Sequence, residues 1–111
     1  MTAIRFPYWI ARKRNGYSLS MSKAIVSIER PSRYSKQLAS HLGHKIAVTE
    51  IENGWHFEIE GAKGDVITTG EAELTLTAIG ENQELEERMQ FVLQKHLLKF
   101  AGDLNPEIVW Q

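Results

Sequence analysis

Between residues 45 and 78 the sequence runs through four short strand-like segments separated by tight-turn signals, and this run limits the fold more than any other feature. Asn53-Gly54 stands between the first two, and Asn-Gly is a strong hairpin signal because both positions tolerate the positive φ of a type I′ turn. The segments are read over 45–52, 54–60, 65–69 and 71–78, with a turn from Gly61 to Gly64 and another at Gly70. In the second, Trp55, Phe57 and Ile59 alternate with His56, Glu58 and Glu60. In the fourth, Ala72, Leu74 and Leu76 share one side. Strands joined by turns this short pair antiparallel, and a sheet apolar on one face must cover that face with something else.

The flanking sequence supplies the cover. Residues 23–29 form a further strand, with Ala24, Val26 and Ile28 on one side. Pro31 and Ser32 then punctuate the chain, and Ser32 is the expected N-cap of a helix reaching about Leu42, stopped by a left-handed Gly43. On a helical wheel Tyr34, Leu38, His41 and Leu42 share a face. A second helix is read over roughly 81–101, with Leu85, Met89, Val92, Leu93, His96, Leu97 and Phe100 in one stripe. Glu81, Glu84, Glu86 and Glu87 at its start and Lys95 and Lys99 at its end suit the helix dipole. Residues 106–110 read as a last short strand. The order β-α-β-β-β-β-α-β predicts an α+β two-layer sandwich, an antiparallel sheet with both helices on one face. The same order is found in TATA-binding-protein repeats, an analogy of fold that carries no function.

A chain of 111 residues suits one such domain. Its net charge of −1 is unevenly placed: residues 1–20 carry Arg5, Arg12, Lys13 and Arg14 and no acid, and the other nine Lys/Arg face all fourteen Asp/Glu. An acidic body makes nucleic acid an unsuitable partner, since phosphate binding needs clustered bases. The first segment has its apolar part (Ile4, Phe6, Tyr8, Trp9, Ile10) before its basic part, the reverse of a secretory signal. Residues 1–20 are therefore expected to be a dispensable extension, and 21–111 the single domain. The absence of cysteine excludes disulfides and thiolate chemistry and suits a reducing, cytoplasmic setting. No apolar run approaches the roughly 20 residues of a membrane-spanning helix.

Two clusters are distinctive. Arg33-Tyr34, Lys36-Gln37-Leu38 and His41-Leu42-Gly43-His44-Lys45 belong to the first helix and its exit, and His96-Leu97 with Lys99-Phe100-Ala101 to the second. Together they resemble a bacterial family, the domain of unknown function numbered 2218, over about residues 21–111. The resemblance implies a fold without a reaction. Some relatives sit beside or are fused to siderophore-iron utilisation proteins, so it also implies an iron or siderophore context.

The residues themselves point to two histidines. His41 and His96 each lie mid-stripe on a separate helix, so helices packed on one sheet face would bring both rings to a common layer. A buried imidazole left without partners costs about 1–3 kcal/mol for each unsatisfied nitrogen. A core histidine satisfied by the Tyr34 hydroxyl or a carbonyl meets that need, and so does a ligand. A small-molecule or partner site over Tyr34, His41 and His96 is the reading preferred here, and a pocket there would need roughly 300 Å³. A metal reading recruits His41, His44 and His96, three of the three or four ligands zinc needs. A general-base role in a hydrolase or isomerase is a further alternative, though no nucleophile or carboxylate is visible beside either ring. Arg33, Lys36 and Lys45 diverge on the wheel and read as a solvated face. Glu58, Glu60, Glu71 and Glu73 read as an acidic outer sheet face. Trp55 and Trp110 read as core. The apolar first segment and an exposed end strand each allow a homodimer.

Overall fold

The computed structural model describes residues 19–111. The expected extension therefore lies almost wholly outside the described residues. In chain order the elements are β1 (Ser20–Ser27), α1 (Pro31–Leu42), β2 (Ala47–Ile51), β3 (Gly54–Ile59), β4 (Ala62–Gly70), β5 (Glu73–Gly80) and α2 (Gln83–Ala101), then a 3-10 turn over Gly102–Leu104. The five strands form one sheet in the order β1-β5-β4-β3-β2, antiparallel throughout. Both helices lie on one face, so the α+β sandwich is as the strand and helix patterns predict.

Register explains which side chains meet. Phe57 stands opposite Gly64 and Val48, Gly64 opposite Ala78, and Ala78 opposite Ser22. Val66, Leu76 and Ala24 form the next row inward. On these rows sit Leu38, Ala39 and Leu42 from α1 and Met89, Leu93, Leu97 and Ala101 from α2, all buried. Phe57, at the middle of the inner face, is fully buried. The helix–sheet layer is therefore filled by close-packed apolar side chains.

Several local readings differ from the structure, each for a physical reason. Pro31, not Ser32, opens α1, because its fixed φ suits the first helical position and its missing N–H needs no cap. Arg30 takes the cap position in a left-handed conformation (φ 52°) and accepts from the amides of Arg33 and Tyr34 through its carbonyl. Gly43 is not left-handed: its φ is −61°, and the chain leaves the helix through a further right-handed turn. The second hairpin, between β3 and β4, turns at Glu60–Gly61, where Gly61 adopts φ +81°. Gly64 is therefore a strand residue. A Cβ there would stand 2.8 Å from the Met89 sulfur, so the glycine lets α2 settle onto β4.

Asn82 caps α2, its side-chain oxygen accepting from the Leu85 amide at 2.9 Å. Ala72 is exposed at the last hairpin, and Leu74, Leu76 and Ala78 are the inward residues of β5. The tail lies along the free edge of β1 and pairs through one residue, Gln111, which exchanges two backbone hydrogen bonds with Lys23. Ile108 and Trp110 pack against the core, and the indole N–H of Trp110 donates to Gln94 Oε1 at 3.0 Å. Among the described residues no helix is long and apolar enough to cross a membrane.

Candidate functional site

The buried face of α1 runs through Pro31, Ser35, Leu38, Ala39 and Leu42. Tyr34 and His41 lie at its margin and are half-buried. The buried face of α2 runs through Glu86, Met89, Leu93, Leu97 and Ala101, with Val92, His96 and Phe100 half-buried at one edge. These margins meet. The rings of His41 and His96 have centroids 5.1 Å apart at 41°, and Phe100 stands edge-on to His41 at 5.5 Å. The two helices thus bring both imidazoles together at the rim of the core layer. Neither ring is enclosed within it.

The rings differ in their hydrogen bonding. His96 Nδ1 lies 2.7 Å from the Val92 carbonyl oxygen, one turn back. Only an N–H can approach a carbonyl so closely, so Nδ1 carries the proton and Nε2 of the neutral ring holds a lone pair. His41 is held below the usual histidine pKa, first by partial burial and then by Lys99, His96, Lys45 and His44. Every charged neighbour acting on it is basic. Lys99 places its ammonium 6.0 Å from the Phe100 ring centroid, on the same rim.

The other expected site residues are distributed as follows. Tyr34 is two helical turns before His41, about 10 Å along the axis of α1 on the same edge, and packs against the core. His44 is exposed in the turn after α1, since the helix ends at Leu42 and the next residues leave its path. Among the described residues no group of three or more His, Cys, Asp or Glu could hold a metal ion. The set His41, His44 and His96 is thus brought together as a pair with an outlying third. Among the described residues, the layer behind the rings is filled by buried apolar side chains such as Leu38, Leu42, Leu93 and Leu97. Clefts lie elsewhere on the surface, one of about 320 Å³ between the start of α1 and the β2–β3 hairpin, bordered by Lys36, Glu50 and Trp55.

The outer sheet face holds a cluster that the sequence reading missed. His56 Nδ1 lies 2.6 Å from Asp65 Oδ1, and Nε2 lies 3.1 Å from Glu58 Oε2. The Asp65 hydrogen bond, with the second carboxylate adding to it, raises the His56 pKa against its partial burial. Lys63 approaches Glu58 at 3.7 Å. His56 and Asp65 face each other across β3 and β4. Their pairing follows once the hairpin turn is placed at Gly61, and the misplaced turn hid it. Both ring nitrogens are taken up by carboxylates, so this histidine has no free nitrogen to offer a substrate. Glu58 and Glu73 lie on the outer face as expected, whereas Glu60 and Glu71 belong to the turns.

Comparison with known proteins adds the lineage. No curated protein matches the chain. A solved structure, the NMR structure of PA4090 from Pseudomonas aeruginosa, superposes with a TM-score of 0.71 at 23% identity, covering 82% of this chain and 94% of that one. At that identity the likeness is one of fold. A family model matches residues 23–111, from β1 through both helices to the paired tail. The chain therefore belongs to the family described as an uncharacterized protein conserved in bacteria, DUF2218.

Proposed function

We propose that the domain is a binding module whose site is the rim between α1 and α2, centred on His41 and His96 with Tyr34 along the same edge. One observation carries this reading: two half-exposed imidazoles from separate helices stand 5.1 Å apart, and one of them has its second nitrogen fixed by a backbone carbonyl. Two rings in the packed interior would answer the needs of the fold. Two rings at its edge, both partly exposed, add little to stability and are available for recognition. A general-base role is less well supported, because the charged neighbours of His41 are all bases and none supplies the orienting carboxylate of an acid–base pair.

Native mass spectrometry of protein purified under mild conditions tests this. The expected result is a retained small molecule, lost in His96→Leu and kept in His56→Leu, with the His96→Leu thermal midpoint unchanged or raised. Retention of the same mass by His96→Leu would exclude the rim as the site. Residues 21–111 are the proposed working unit, and a chain starting at Met21 is expected to bind and melt as the full chain does.

A further inference from the structure

We propose that the rim takes a small oxyanion, a carboxylate or phosphate group, held by the Lys99 and Lys45 ammonium groups over the paired rings of His41 and His96. This rests on the binding-module reading and names the ligand class of that site. The first support is position. Lys99 follows His96 by three residues, which places both on one face of α2. Its ammonium reaches the Phe100 ring, which in turn abuts His41. Lys45 and His44 are exposed in the turn that follows His41 and α1.

The second support is charge. Lys99, His96, Lys45 and His44 all act on His41 in the same sense. Such a cluster attracts an anion and repels a bare cation.

The third support concerns the backbone. The amides of Gly43, His44, Lys45 and Ile46 are already given to the carbonyls of Ala39, His41 and Leu42. An anion would therefore be gripped by side chains, and its affinity would depend on their charge. A neutral imidazole offers an anion a lone pair from an unprotonated nitrogen, and a protonated one offers a donor. Binding should then draw a proton onto His41, so affinity rises as pH falls.

The test is an NMR titration of the full chain with inorganic phosphate and with citrate at about pH 6 and about pH 8. Glucose and tetramethylammonium serve as neutral and cationic probes. The expected result is a shift of the His41, His96 and Lys99 signals by at least one anion, with tighter binding at the lower pH. Lys99→Gln should weaken it about tenfold, the loss of one charge-assisted contact. Lys36→Gln, in the middle of α1 beside a different cleft, should leave it unchanged. Phosphate presents a single tetrahedral anionic group and citrate three carboxylates, so their ratio separates the two chemistries. Equal shifts in Lys99→Gln and His41→Gln would mean an adventitious ion only and overturn the proposal. Glucose or tetramethylammonium moving the rim signals while both anions fail would overturn the oxyanion and leave the binding module standing. Silence from all four probes, with no small molecule retained on native purification, would remove both.

Discussion

His41 and His56 stand on opposite layers of one small domain, and their neighbours drive them in opposite directions. His56 lies on the outer sheet face between Asp65 and Glu58, and its pKa is raised. His41 lies on the helix rim among Lys99, His96, Lys45 and His44, and its pKa is lowered. The chemical group is the same and both sites are partly exposed. What differs is whether the protein supplies the counter-charge. On the sheet it does, and the charge-assisted hydrogen bonds tie β3 to β4. On the rim the groups acting on His41 among the described residues are all basic, and the proposed site would take its counter-charge from outside. A charged cluster satisfied within the fold reads as structure, and one left unsatisfied at an edge reads as a site.

The largest expected effect concerns what the two regions share. Phe57 faces the helices, while its strand neighbours His56 and Glu58 face outward. Phe57→Ala should cost about 3–5 kcal/mol in denaturant unfolding, since it empties the middle of a filled layer. A loss under 1 kcal/mol would mean that the layer is looser than its burial indicates.

Next comes the sheet cluster. Because the folded pKa of His56 is raised, its contribution is fully present below the unfolded value of about 6.5 and is lost as pH rises through the folded value. Asp65→Asn removes the first cause of the raised pKa. It should cost about 1 kcal/mol near pH 6, and less at pH 9, after allowance for partial exposure. Urea unfolding at the two pH values checks this, and equal losses at both would contradict it.

The rim should respond with the opposite sign and more weakly. The lowered pKa of His41 means that the unfolded chain binds the proton more readily, so stability falls as pH drops from about 6.5 through the folded value. Lys99→Gln should move the His41 titration upward and narrow that acid loss. An unmoved titration would show that Lys99 does not act on the ring. The smallest effect expected is that of starting the chain at Met21, for which thermal melting should show no change in midpoint. A large drop would bring the first residues into the folded unit.

The sequence made the fold legible where period and turn chemistry agreed. Alternation over 54–60 and the Asn53-Gly54 turn placed β3 correctly, and the apolar stripes placed both helices on one face. It failed where tertiary packing decided. Gly64 looks like a turn residue, yet it lies within β4 because Met89 needs the space of its missing side chain. That error shifted the start of β4 and concealed the cross-strand partner of His56. For the site, helical spacing was enough to bring His41 and His96 together. It was not enough to say whether they would be buried, because a wheel gives direction without depth. The structure places them one step from the buried faces, which run through Leu38 and Leu42 on one helix and Leu93 and Leu97 on the other. The basic surroundings of His41 combine residues from α1, the turn after it and α2, and no single stretch of sequence displays them together.

One measurement bears on all of this: imidazole titration of His41 and His56 in the same sample, followed by NMR from acid to base. The account predicts His41 titrating below 6.5 and His56 above it, the latter falling back toward 6.5 in Asp65→Asn. Coincident titrations near 6.5, or the reverse order, would contradict it, and the rim would then have no claim over any other part of the surface.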